Sequence, residues 1–268
     1  MKPNPVIFIH GLWIHSAAWQ PWLDLFVDRG YDVSAPGWPG DGDTVAATRE
    51  NADALNDVGI ATIVEHYASV IGSAEGKHEA KPIVVGHSFG GLIAQELLAT
   101  GLVAAAVAID PAPIKGVKSL PLAQLRSAFP VLSNPANRHR TVSLNAKQFH
   151  YAFGNVLTEE ESDELHDRWT IPGPGLPLFE DAAANFSKDS PAKVDTHLAD
   201  RGPLLLTSGT EDHTVPLKVT KEVFGMYAKG RSDIEFHEFE GRGHSLTIDH
   251  GWRDVAEVAL DWFSAKGF

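Results

Sequence analysis

The stretch "IVVGHSFGGLIAQ", residues 83–95, decides the fold. Ile83-Val84-Val85 is an unbroken β-branched run, the code of a strand buried on both faces. Leu92 to Ala99 reads as a helix. Between them lie Gly86-His87-Ser88-Phe89-Gly90-Gly91. A tight turn needs glycine but has no need of a serine at its apex. A serine that must meet a reagent needs both, because its hydroxyl has to stand clear of the backbone and find a base to take its proton. A sharp strand-to-helix turn exposes the hydroxyl but crowds neighbouring chains, and glycines two before and two after it relieve that crowding. Gly86-x-Ser88-x-Gly90 has this form, and the N-terminus of the following helix favours negative charge developing beside it. The competing reading is a structural glycine-rich turn with a bystander serine.

Outward from this turn the chain alternates strand and helix. Val6-Ile7-Phe8-Ile9 is a buried strand ended by His10-Gly11, and residues 18–29 have helical spacing stopped at Gly30. A short strand at 31–35, a helix near 58–72, the 83–85 strand, its helix and a strand at 103–109 follow. This pattern implies a doubly wound, mostly parallel sheet with right-handed crossovers. It breaks from about residue 116 to about 200, where helices are expected near 119–128, 145–153, 158–169 and 176–187. The strand code resumes at Leu204-Leu205-Leu206-Thr207. A helix near 216–229, a strand at 234–239 and an amphipathic helix near 252–265 complete the pattern. The expected organisation is one α/β domain of about six strands, residues 1–115 and 201–268, interrupted by a helical insertion over 116–200.

Composition narrows the function classes. The 268 residues carry 22 Lys plus Arg against 35 Asp plus Glu, a formal net charge of −13. That balance argues against nucleic acid and anionic membrane surfaces as partners. Cysteine is absent, which excludes disulfides, thiolate metal sites and a cysteine nucleophile and fits a reducing compartment. With no leader pattern at the N-terminus and no apolar run long enough to span a bilayer, the chain reads as soluble and cytoplasmic. His237 and His244 lack metal-site spacing, and Asp41-Gly42-Asp43 lacks a calcium loop, so both aspartates read as solvated turn residues. No dinucleotide or P-loop motif is present. No cofactor is expected, and the expected partner is a small-molecule substrate. Oligomeric state is not readable.

If Ser88 is a nucleophile, its base should be a histidine with an acid behind it, in the chain order Ser, acid, His. "LLLTSGTEDHTVP" places Asp212 just beyond a strand, and "FEGRGHSLTIDH" places His244 beyond the next. Both fall at the C-terminal edge that carries Ser88, where open α/β sheets hold their ligands. Rivals for the acid are Glu211 and Asp110. Rivals for the base are His213, His237 and His250. An oxyanion needs two N–H donors: Phe89 follows the nucleophile, and Leu12 in "FIHGLW" supplies the second, with Trp13 as the alternative. Trp13 is also a candidate wall of the substrate pocket, and Phe149, Tyr151, Phe153, Leu176, Leu178 and Phe179 suggest an apolar roof.

Together "HGLW", "GHSFGG", the Asp212 loop and the His244 loop resemble the α/β-hydrolase superfamily over nearly the whole chain. The resemblance implies a serine hydrolase with the triad Ser88, Asp212 and His244, and makes the 116–200 block a cap over the site. Because the sequence opens directly on the "HG" strand, the two N-terminal strands of the full fold are not expected in the sheet. Ser88 stands where epoxide hydrolases and haloalkane dehalogenases carry aspartate. A plant-type hydroxynitrile lyase would have threonine at Gly11 and lysine at Ser245. Ester hydrolysis, or that of a lactone or amide, is therefore expected. Cofactor-free haloperoxidase or perhydrolase activity, hydroxynitrile-lyase-like activity on the same triad and a non-catalytic ligand receptor are the alternatives.

Overall fold

In the computed structural model, residues 3–73 and 80–268 are described. Six strands form one sheet in the order β2-β1-β3-β4-β7-β8, every pair parallel. They are β1 (Val6–Ile9), β2 (Val33–Ser34), β3 (Ile83–His87), β4 (Ala105–Ile109), β7 (Leu204–Gly209) and β8 (Ile234–Phe239). Helices α1 (Gln20–Asp28), α2 (Val45–Glu50), α3 (Ile60–Ser73), α4 (Phe89–Ala99), α9 (Leu217–Tyr227) and α10 (Trp252–Lys266) connect or follow them.

The period of two along each strand sorts the core into two layers. Ile7, Ile9, Val84, Ala106 and Leu206 face the layer of α3, α4 and α9, where Ile63, Tyr67, Leu97 and Val223 pack. Their neighbours Phe8, Val85, Val107 and Leu205 face α1 and α10, against Trp22, Phe26 and Phe263. The Phe8 ring meets Trp19, Trp22 and Phe26 with centroids 5.1, 6.0 and 5.1 Å away. Burial on both faces is why the central strands read as continuous apolar runs.

Between β4 and β7 lie α5 (Leu122–Leu132), α6 (Ala146–Ala152), α7 (Glu159–Trp169) and α8 (Leu176–Ala182), with an antiparallel ribbon of β5 (Thr141–Val142) and β6 (Gly173–Pro174). Capping sets several of these boundaries. Asn145 and Gln148 form a reciprocal capping box on α6. Thr158 accepts the Glu161 N–H at the start of α7, whose first turn holds Glu159, Glu160 and Glu161 against the helix dipole.

Several elements depart from their expected limits. Pro121 stands at the N-cap of α5, so the helix starts at Leu122 and runs past Pro130 to Leu132. α8 ends at Ala182, short of 187, because Asn185 is engaged elsewhere: its Oδ1 accepts the Gly116 N–H at 2.7 Å and its Nδ2 donates to the Val117 carbonyl at 2.6 Å. The strand expected over 31–35 is paired only at Val33–Ser34, at the sheet edge. α2 and the β5–β6 ribbon have no counterpart in the sequence pattern. Among the described residues no helix is long and apolar enough to cross a membrane.

Candidate active site

β3 runs straight into α4, and Ser88 sits at the joint with φ 57 and ψ −122. This is a backbone region that L-residues with side chains avoid. Two glycines make the joint possible. A Cβ on Gly86 would lie 2.0 Å from the Gly90 carbonyl oxygen, and one on Gly90 would lie 2.1 Å from that of Ile9. The Ser88 N–H is held by the Ile109 carbonyl at 2.9 Å, and the Ser88 carbonyl accepts the Ala112 N–H at 2.9 Å. The turn is thereby tied to the end of β4 while its side chain stays free.

Asp212 and His244 meet behind this turn. His244 Nδ1 donates to Asp212 Oδ2 at 2.6 Å, with both side chains fully buried. Asp212 Oδ1 accepts the N–H groups of Thr214 and Val215 at 2.6 and 2.8 Å. The acid is thus fixed by its own loop. The other ring nitrogen, His244 Nε2, is buried without a hydrogen-bond partner. Ser88 Oγ makes no hydrogen bond among the described residues, so the structure joins acid to histidine directly and leaves the histidine–serine link open. Catalytic hydrogen bonds are often loose in the unliganded state and tighten around substrate.

Several neighbours hold His244 in place. His87, the residue before Ser88, donates from Nε2 to the His244 carbonyl at 2.9 Å, with ring centroids 4.6 Å apart. Burial, and then the nearby His244 ring, push the His87 pKa well below the ordinary histidine value, so it stands as a neutral donor. The Phe153 ring meets the His244 ring edge-on at 4.8 Å. Its carbonyl accepts the Ser245 N–H at 3.2 Å. Arg242 and Asp249 form an ion pair across the loop, and Ser245 Oγ donates to Asp249 Oδ2 at 3.0 Å.

The rivals fall elsewhere. Glu211 is exposed, and His237 lies on the exposed side of edge strand β8. His213 bonds the Tyr151 carbonyl at 3.1 Å, and His250 pairs with Glu161 at 2.9 Å. Asp110 does reach the site: its Oδ2 lies 4.0 Å from His244 Nδ1, and its Oδ1 accepts the Gly209 N–H at 2.8 Å. Burial first, and the charge of Asp212 second, raise the Asp110 pKa well above the carboxylate range, and Asp110 Oδ2 is buried without a hydrogen-bond partner. A carboxyl raised in this way keeps its proton, which suits Asp110 to the role of a neutral neighbour of the Asp212–His244 pair. His87, Asp110 and His244 bring possible ligand atoms within 4.8 Å of one another. His87 Nε2 and His244 Nδ1 are already committed to the bonds described above.

The loop after β1 brings Leu12 and Trp13 to the same edge. A Cβ on Gly11 would touch Ser88 Cβ at 2.7 Å, so only glycine lets this loop approach the turn. Trp13, at φ 70, is pinned from both sides. Its carbonyl accepts the Ile171 N–H at 2.9 Å, and its indole N–H donates to the Val142 carbonyl at 2.9 Å. Among the described residues neither the Leu12 nor the Phe89 N–H has a protein acceptor. Asp41 corrects the reading of a solvated turn. Its side chain is 2% exposed, and its Oδ2 lies 3.0 Å from His10 Nε2 and accepts the Trp38 N–H at 2.9 Å. His10 in turn bonds the Gly11 carbonyl at 2.9 Å, so Asp41 braces the loop beneath Leu12.

A cavity of about 150 Å³ opens on Ser88. Leu12, Trp13 and Phe89 line one side, and α5 and α8 line the other through Leu125, Ala128 and Leu178. Of the six residues expected to form an apolar roof, Leu178 alone lines this cavity; Phe149 and Phe153 are packed in the core instead.

The comparisons with known proteins agree with this geometry. Residues 6–258 match the family model described as alpha/beta hydrolase family. No curated protein matches the chain. Among solved structures, the monoacylglycerol lipase of Paleococcus ferrophilus is similar at TM-score 0.66 and 22% identity, over 98% of this chain and 96% of that one. Polyneuridine aldehyde esterase is similar at TM-score 0.67 and 20% identity, over 97% and 99%. An extracellular alpha/beta-hydrolase from a Paenibacillus species is similar at 0.66 and 21%, over 97% and 98%. The parallel six-stranded sheet, the serine at its strand-to-helix joint and the match over residues 6–258 place this chain in the alpha/beta hydrolase family.

Proposed function

We propose that the protein is a serine hydrolase that cleaves a carboxylic ester, or a related lactone or amide, through an acyl-enzyme. The observation that carries this reading is the buried 2.6 Å bond from His244 to Asp212, with the opposite ring nitrogen left unpaired beside the Ser88 turn. Asp212 fixes the tautomer in which Nε2 is the base and stabilises the imidazolium once it forms. Ser88 Oγ attacks the carbonyl carbon as its proton passes to His244 Nε2. The carbonyl oxygen becomes an oxyanion held by the Leu12 and Phe89 N–H groups, with the N-terminus of α4 behind them. Collapse expels the alcohol, which takes the proton from His244. Water then repeats the sequence on the acyl-enzyme and frees Ser88.

The helices between β4 and β7 act in this reading as a cap over the acyl site. A cavity of about 150 Å³, the size that holds a benzene ring, suits a small, largely apolar group. Reaction with a fluorophosphonate tests the proposal. Intact mass should rise by one adduct in the native protein and by none in Ser88→Ala, and p-nitrophenyl acetate turnover should vanish in His244→Ala. An adduct that persists in Ser88→Ala would overturn it.

A further inference from the structure

Away from the Ser88 hydroxyl and the N–H groups of Leu12 and Phe89, the cavity is apolar except for four side chains, none of them cationic. Ser127 and Thr214 line it, but both hydroxyl protons are spent elsewhere: Ser127 Oγ donates to the His213 carbonyl at 3.1 Å and Thr214 Oγ1 to the Ala152 carbonyl at 2.7 Å. Toward the cavity these oxygens offer lone pairs only. Gln124 on α5 also lines it, with Oε1 buried and unpartnered. The fourth group is Asp181 in the last turn of α8, whose carboxyl has no hydrogen bond or ion pair among the described residues. A carboxylate there faces the negative end of its own helix, and nothing in the protein offsets the cost.

One carboxyl, two hydroxyl oxygens whose protons are used elsewhere, one amide and no cation in one apolar chamber describe half of a binding site. No lining residue supplies a counter-charge to Asp181, so that half is expected on the ligand. An apolar ligand would leave the acid unpaired, and an anionic one would be repelled. A protonated amine brings a positive charge for Asp181 and N–H donors for the neighbouring lone pairs.

We propose that the cavity selects substrates carrying an alkylammonium group, with Asp181 as the counter-charge, so that the substrate class is an ester of a small cationic amine. The inference rests on the reading of Ser88 as nucleophile for the word ester, and on the cavity alone for the word cationic. Burial lifts the Asp181 pKa to about 8 in the empty protein. A bound ammonium, which like that of lysine keeps its proton to about pH 10, would favour the ionised acid.

The test is calorimetric titration at pH 9 of n-pentylammonium and of 1-pentanol, its neutral counterpart of similar size. Each is titrated into the native protein, Ser88→Ala, Asp181→Asn and Asp181→Glu. Native protein and Ser88→Ala should bind the ammonium at least about tenfold tighter than the alcohol, as expected for a charge-assisted bond in an apolar site. Asp181→Asn should bring that ratio close to one, and Asp181→Glu, which keeps the charge, should restore a preference. Equal binding of the two probes by the native protein, or a preference that survives in Asp181→Asn, would overturn the inference. The two readings fail separately. A protein that takes no fluorophosphonate yet prefers the ammonium loses only the esterase reading, and one that takes the adduct but binds both probes alike loses only this one.

Discussion

Asp110 shows how one residue's environment decides its role. Two carboxyl groups flank His244 Nδ1, Asp212 at 2.6 Å and Asp110 at 4.0 Å, but the ring offers a single N–H there. Two buried anions would repel each other, so one must keep its proton. Asp212 has two backbone N–H donors and the imidazole, whereas Asp110 has one backbone donor and lies fully buried. This predicts opposite outcomes for the same chemical change. Asparagine at 110 has the shape and neutrality of a protonated acid and can still accept from Gly209, so Asp110→Asn should hold kcat within about threefold, far from the loss expected when the triad acid is changed. Asp212→Asn forces the wrong tautomer and should cost kcat about 10³–10⁴-fold. Steady-state hydrolysis of p-nitrophenyl acetate by both variants decides the matter; similar losses in the two would place the charge on Asp110 instead. Asp110→Ala should cost about 1–3 kcal/mol in urea unfolding, because it leaves the buried Gly209 N–H without a partner.

At the scale of single elements, the joint between β3 and α4 carries the greatest steric demand. A Cβ at Gly86 would press on backbone 2.0 Å away, and backbone cannot swing aside as a side chain can. Gly225, inside α9, would place a Cβ in open space. Gly86→Ala should therefore lower stability by several kcal/mol or prevent folding. Gly225→Ala should raise it by about 0.5–1 kcal/mol through helix propensity. Urea unfolding midpoints give both signs. The same contrast explains what could be read from sequence. The Gly-x-Ser-x-Gly joint is dictated locally, by sterics over five residues, and so were the buried strands that flank it. Edge strand β2 is paired over two residues, α2 is a six-residue helix, and β5 and β6 meet only through tertiary contact, so none leaves a long periodic signal. The loops of Asp212 and His244 could be placed because each follows a strand. Asp41 could not, because its burial depends on His10 from a distant loop. Of the expected roof, Leu178 on α8 reaches the cavity, whereas Phe149 and Phe153 pack inward and α5 supplies the rest of that wall, which hydrophobicity alone does not distinguish.

For the molecule as a whole, acidity and burial act together on stability. The formal net charge is −13, and some of the acids that carry it are not at the surface. Glu96 on α4 is lifted to a pKa of about 8, first by burial and second by the charge of Glu180. Its Oε1 has no hydrogen-bond partner. A folded-state value above the unfolded one means that folding favours the protonated form. Below about pH 4 the group is neutral in both states and contributes no pH dependence. As pH rises from there to about 8, the unfolded chain releases the proton while the fold retains it, so stability falls by up to about 1.4 kcal/mol per pH unit. Above about 8 both states are ionised and the slope ends. Asp181, raised to about 8 by burial, acts in the same direction. Replacing Glu96 by glutamine removes one of these two contributions. The variant should resemble the native protein at pH 5 and exceed its unfolding free energy by roughly 1–4 kcal/mol at pH 8. Neutralising Glu159, in the first turn of α7 and exposed, serves as the control for net charge alone and should leave the difference between the two pH values unchanged. Urea unfolding at pH 5 and pH 8 reads all three proteins. If Glu96→Gln shifts stability equally at both pH values, its effect is one of packing, and the pH dependence must come from the remaining acids.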